Sequence, residues 1–356
     1  MPLSEKKNRG EWSELYALIN ILAHGEIDFI SANDDTKSSA FPVILVTQKI
    51  NGVLHDFRID NLVIEILNTS NHLVQSTVSR EELNQKADRL LYKIKSEKGR
   101  TFAIPEATEI MSMLGLERVT GSGGKVDLTL TIYDPRISQE IQQGFSIKSF
   151  IGSKPTLLNA SGVTNIEYTI QGDLTSRETK RLNNLGPIDL VTQLVKENFK
   201  LLPSKMNYKF AENLKMIDSE MDALVAQVVL ASFRGEGRTM HDIVKILTKT
   251  NPLKYLPPNV ETRYTHKIKD LLEAVALGMR PSQPWTGGTE ARGGNLIVAS
   301  SGQIICHHAL DKDSLRNYLF DNTAIDTPST KRHKFGKIVI DKLTLNFQIR
   351  FKSQGL

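Results

Sequence analysis

The chain has 356 residues, of which 40% are hydrophobic and 24% charged, enough to bury a sizeable core in two or three structural units. Its 45 basic and 40 acidic residues leave a net charge of +5, which permits a polyanionic partner without demanding one. The longest apolar runs, Ala40–Val46 and Ala223–Leu230, are too short to span a bilayer, and the first residues lack the apolar core of a signal peptide. The lone cysteine, Cys306, excludes an intramolecular disulfide and a multi-cysteine zinc site, so cytosolic residence is expected.

Gly10–His24 carries Trp12, Leu15, Leu18, Ile21 and Leu22 at helical spacing, predicting a helix with one buried stripe that Gly25 ends. Strands are predicted at Phe41–Thr47, Val53–Ile59 and Leu62–Leu67, with Asn51-Gly52 as the hairpin turn between the first two. Ser79 resembles the start of a capping box on a helix running towards Lys95, and Pro105 opens another helix. Gly121–Gly124 is a flexible lead-in to the clearest strand, Lys125–Tyr133; Gly144–Phe150 reads as a second strand and Asn165–Ile170 as a third. From Thr175 to Gly278 the spacing is mostly helical, near Asp189–Phe199, Glu212–Phe233, Met240–Leu247 and Arg263–Leu277. Strands Asn295–Ala299 and Gln303–His307 pair across Ser301-Gly302, a short helix covers Asp313–Phe320, and Leu343–Phe351 is a final strand. The fold class is α/β, with a mixed core over 1–174, a helical insertion over 175–280 and a β-rich C-terminal part over 281–356.

Chemistry concentrates on the strands at Lys125–Tyr133 and Gly144–Phe150. Val126, Leu128, Leu130 and Ile132 make one face apolar, which puts Asp127 on the other. Phe145 and Ile147 likewise leave Ser146 and Lys148 on the opposite side. Paired as a hairpin, the strands would bring a carboxylate and a lysine to one face. That is the donor set for metal-assisted phosphodiester hydrolysis, and also the look of a simple surface ion pair. A nuclease pattern of this kind, PD-(D/E)xK, has an acid two residues before the lysine. Here Ser146 holds that place, and serine is a poor magnesium ligand. Glu14, and behind it Glu11, share a face of the opening helix and are the candidates for the missing carboxylate.

Five blocks bear on the choice: GEWSELY at Gly10–Tyr16, GFSIKSFIGSKPTLLNASGVTN at Gly144–Asn165, GMRPSQPWTGG at Gly278–Gly288, TPSTKRHKFGKI at Thr327–Ile338 and LTLNFQIRF at Leu343–Phe351. In this order and over nearly the whole chain, they resemble the HpaII family of type II restriction endonucleases. The resemblance implies a restriction-endonuclease-like mixed-sheet core, a C-terminal DNA-recognition part, a Mg2+ cofactor, and double-stranded DNA cut at CCGG. It also implies Asp127 and Lys148 as metal ligand and catalytic lysine; Glu14, from its place on the opening helix, is the expected further metal ligand, with Ser146 beside them in the centre. A homodimer would suit a palindromic site, and a cognate DNA methyltransferase would be the functional partner of such a system.

The stretch Thr327–Lys352 carries Lys331, Arg332, Lys334, Lys337, Lys342, Arg350 and Lys352 against the single acid Asp341, which fits phosphate contact. Ser329, Thr330, Lys331, Arg332, His333 and Lys334 are expected at DNA, with Arg292 and Asn159 as further contacts. Asn159, Ser161 and Asn165 suit turn and capping roles equally well. His307 and His308 point to opposite sides of a strand and cannot share a metal, and Trp285 reads as a packing anchor. Gly121–Lys125 lacks the outer glycine and the hydroxyl residue of a phosphate loop, and it precedes a strand instead of following one. Two other functions compete: a non-catalytic DNA-binding protein on a nuclease-like fold, and a nuclease of repair or recombination.

Overall fold

The computed structural model describes residues 5–31, 34–119, 124–135, 137–309 and 311–354. The first four residues, and 121–123 of the glycine-rich lead-in, lie outside them. The chain forms two units, Met1–Pro155 with Glu290–Leu315, and Thr156–Thr289 with Arg316–Leu356.

In the first unit α1 (Arg9–His24) buries the expected Trp12, Leu15, Leu18, Ile21 and Leu22, and beyond that one stripe also Ser13, Tyr16 and Ile19. β1 (Glu26–Ser31), β2 (Asp34–Ile50), β3 (Val53–Ile59), β4 (Val63–Leu67) and β5 (Val74–Ser79) follow. Asn51 and Gly52 both have positive φ, 51° and 86°, as a two-residue turn matched to the strand twist requires, and Ile50 pairs with Val53 across them. Next come α2 (Arg80–Ser96), α3 (Pro105–Met113), β6 (Leu128–Asp134) and β7 (Gln139–Ser149). Ser79 makes its half of the α2 cap, accepting from the Glu82 N–H at 3.4 Å.

Two arginines lock α1 to α2. Arg9, at the start of α1, donates to the carbonyls of Ile94, Glu97 and Gly99 at the end of α2. Arg80, at the start of α2, donates to the carbonyls of Ala23 (3.0 Å) and His24 (2.7 Å) at the end of α1. Each cation satisfies carbonyls that a helix C-terminus leaves without partners, and each meets the negative end of the helix dipole.

The second unit runs through β8 (Thr156–Leu158), a 3-10 turn at Gly162–Thr164, β9 (Asn165–Gln171), α4 (Ser176–Leu182), α5 (Pro187–Lys196) and β10 (Lys200–Met206). Four helices follow: α6 (Tyr208–Lys215), α7 (Met221–Phe233), α8 (Met240–Thr250) and α9 (Val260–Leu277). β11 (Gly294–Val298) and β12 (Ile304–His308) belong to the first unit. The chain ends with α10 (Lys312–Asn322), β13 (Thr323–Ile325), α11 (Thr330–His333), β14 (Ile338–Val339), β15 (Lys342–Asn346) and β16 (Ile349–Phe351).

A nine-stranded mixed sheet in the order β1-β12-β11-β7-β6-β2-β3-β4-β5 organises the first unit. Its parallel pairs are β1–β12 and β11–β7. The second unit has a four-stranded sheet, β10-β9-β15-β14, and a three-stranded one, β13-β16-β8. The architecture is thus mixed α/β, as expected, with differences in detail. The strand after the hairpin, β9, pairs with β10 and β15 and not with the hairpin. The helix expected over Glu212–Phe233 is two helices, α6 and α7. The final strand divides at Phe347-Gln348, because the Phe347 N–H turns to the Thr164 carbonyl (3.0 Å) and sends β15 and β16 into different sheets.

Candidate active site

The hairpin forms as its alternation predicts. Leu128, Leu130 and Ile132 are buried, and Leu128 pairs with Phe145. Asp127 stands one residue before β6, and its N–H donates to the Phe145 carbonyl at 2.8 Å. There the ladder changes character: the Ile147 N–H donates to Asp127 Oδ2 at 2.6 Å, so a side-chain oxygen takes the place of a backbone carbonyl. The Ser146 hydroxyl donates to the same Oδ2 at 3.3 Å and accepts from Lys148 Nζ at 2.7 Å. Lys148 Nζ also donates to the Ile147 carbonyl at 3.2 Å. Asp127 and Lys148 are therefore joined through Ser146, with no direct ion pair between them among the described residues. Ser146 is only 2% exposed, and Asp127 and Lys148 on either side of it are half-buried.

α1 brings Glu14 to this place. Ser149 of β7 donates to Ser13 at 2.8 Å, Tyr16 donates to the Gly302 carbonyl at 2.8 Å, and Trp12 Nε1 donates to the Phe102 carbonyl at 3.0 Å. Those three bonds fix the helix along and around its axis. Burial and the neighbouring Asp127 charge push the Glu14 carboxyl up to about 8, against an opposing pull from Lys148. Glu11 has another task. Its carboxylate accepts from the Asn8 N–H (2.9 Å) while Asn8 accepts from the Glu11 N–H (3.1 Å), which closes a capping box.

Among the described residues no group of three or more His, Cys, Asp and Glu side chains could hold a metal ion. The oxygen donors here are the carboxyl groups of Asp127 and Glu14, the second pushed up to about 8 first by burial and then by the Asp127 charge. That set fits magnesium, which is held by one or two carboxylates with water and phosphate completing its shell; it does not fit zinc. His308 packs against the rings of Phe29 (5.2 Å) and Phe145 (6.1 Å), while burial lowers His307 to about 4.

The basic stretch of the second unit contains a short helical turn. Residues 330–333 form α11; Ser329 caps it, accepting the Arg332 N–H at 3.4 Å. Lys334 closes it in the left-handed region, at φ 51°. Asn165 Nδ2 ties the His333 carbonyl down at 2.9 Å. Lys331, Arg332 and Lys334 are exposed on this short turn, whereas Thr330 and His333 are partly buried. Of the three candidates around residue 160, Ser161 caps the 3-10 turn and Asn165 is held by His333 and Asn346, leaving Asn159 exposed. Arg292 is exposed in the first unit. Trp285 Nε1 donates to the Gly288 carbonyl at 2.8 Å and its N–H to Asn213 Oδ1 at 2.9 Å, bracing its own loop.

The profile of the HpaII restriction endonuclease family matches residues 8–351. The type II restriction enzyme HpaII of Haemophilus parainfluenzae is 33% identical over 352 residues, covering 97% of this chain and 98% of that enzyme. No solved structure matches. The chain belongs to the HpaII restriction endonuclease family. It is therefore an enzyme, a type II site-specific deoxyribonuclease, which sets aside the non-catalytic reading.

Proposed function

We propose that the chain hydrolyses phosphodiester bonds of double-stranded DNA at a short palindromic G·C-rich site, CCGG by family resemblance, on a PD-(D/E)xK core. One observation supports the chemistry above all: a carboxylate set where β6 parts from β7, joined through a buried serine to a lysine, with a second carboxyl held over them by α1.

Asp127 and Glu14 are the proposed magnesium ligands. Bound magnesium would polarise the phosphate and make water a better nucleophile. Lys148 presents its ammonium to the phosphate oxygens as their charge grows, and Ser146 fixes that ammonium relative to Asp127. Glu14 supplies from a helix the carboxylate that the usual pattern places at position 146. The residues from Ser329 to Lys334, with Arg292 and Asn159, are proposed to meet DNA. The fork of Arg332 suits guanine O6 and N7, and Lys331 and Lys334 suit phosphates. A homodimer would match the two-fold symmetry of the site, a cognate methyltransferase would protect it, and both would act in the cytoplasm.

Incubating the purified protein with phage DNA of known sequence, with and without magnesium, tests the reading. Discrete fragments ending at CCGG, formed only with the metal, are expected. A smear would mean a nuclease without site preference, and discrete fragments ending elsewhere would refute the proposed site.

A further inference from the structure

We infer that Asn295 is a positioning residue of the nuclease centre, acting through Ser146; the inference rests on the active-centre reading above. β11 runs parallel to β7 with Asn295 in register with Ser146, and antiparallel to β12 with Asn295 in register with His307. Register partners share a face. Asp127, Ser146, Asn295 and His307 therefore form a polar row across neighbouring strands of the sheet.

The row is buried where a sheet of this kind is normally apolar. Leu296, Ile297 and Val298 follow Asn295 on the same strand, and all four are 0% exposed. Neither Oδ1 nor Nδ2 of Asn295 has a hydrogen-bond partner among the described residues. A buried amide left this way costs stability that an apolar side chain of the same branching would not, so packing alone does not account for the residue.

Hydrogen-bond capacity points to a task for the amide. A serine hydroxyl has one hydrogen to give and two lone pairs. Ser146 gives its hydrogen to Asp127 Oδ2 and one lone pair to Lys148 Nζ. The second lone pair takes no donor among the described residues, and the unpartnered amide of Asn295 stands in register with Ser146 on β11. Beside it the neighbouring strand comes close: Gly294 has φ 103°, and a Cβ there would lie 2.1 Å from the His307 carbonyl oxygen, so only glycine fits next to Asn295. Donation from Nδ2 would hold the serine in the rotamer that seats Lys148. Serine at position 146 needs such a support because, unlike the usual carboxylate, it has no charge to hold the lysine.

Single-turnover cleavage, DNA affinity and melting temperature of Asn295→Leu give the test, with Lys148→Ala and Ser146→Ala alongside. We expect Asn295→Leu to melt no lower than wild type, to bind DNA within about twofold, and to cut at least about tenfold more slowly. Placed in the Ser146→Ala background, it should cost less than about twofold more, because the path through Ser146 is already gone. Full cutting by Asn295→Leu, or a full independent loss in the double variant, overturns the inference. If Asn295→Leu does not fold, Asn295→Ser replaces it. A stable Asn295→Ser that cuts slowly with DNA affinity intact supports the inference, and one that cuts fully overturns it. Lys148→Ala separates the two levels: if it cuts like wild type, the active-centre reading itself has failed.

Discussion

Glu14 is the residue whose behaviour is least like that of a solvated glutamate. Its carboxyl, ordinarily at 4.5, is pushed up to about 8, first by burial and then by Asp127. Between those values the folded protein holds a proton that the unfolded chain has released, so Glu14 favours folding below pH 4.5 and its contribution is lost as pH rises through 8. Glu14→Gln cannot titrate. In chelator, its melting temperature relative to wild type should rise from pH 5 to pH 8; a constant difference would mean that Glu14 is not perturbed. The same variant should need much more magnesium for half-maximal cutting, since a ligand charge is gone. At this scale the period of two in the strands was enough to put Asp127, Ser146 and Lys148 together. The role of Asn295 was not legible, because its partner lies about 150 positions away and local pattern carries no parallel register.

Elements hold these residues in place through their ends more than their middles. Glu11→Ala should open the α1 capping box and cost about 0.5–2 kcal/mol in chemical denaturation. Glu11→Gln keeps an acceptor for the Asn8 N–H and should match wild type in a magnesium titration, which separates the cap from the metal ligand three residues on. Arg9→Met and Arg80→Met should each cost about 1.5–3 kcal/mol, as charge-assisted bonds to helix-end carbonyls do. A change near zero in both would mean that the two helices are held by their apolar faces alone. The ends were also where the sequence was readable: Asn51-Gly52, Ser79, Pro105 and Gly25 each mark a boundary that the fold keeps. Strands β1 and β5 were missed because half or more of their residues are polar, and β10 because Pro203 and its lysines break any apolar alternation.

At the scale of the molecule, a net charge of only +5 makes local charge decide where DNA is held. Each of Lys331→Ala and Lys334→Ala should weaken binding to all sequences and reduce the slope of log affinity against log salt by about 1. Arg332→Ala should instead relax discrimination at a guanine, costing about 1–3 kcal/mol at that position. An unchanged salt slope in both lysine variants would take the α11 turn off the DNA. Family membership fixes the class of enzyme, and the centre at Asp127 is the proposal on which the rest depends. Single-turnover cleavage of a CCGG duplex by Asp127→Asn in magnesium, with affinity measured in parallel, tests it most directly. A rate lower by on the order of a thousandfold with affinity nearly intact is expected; cutting near the wild-type rate would mean that the metal is not held at Asp127.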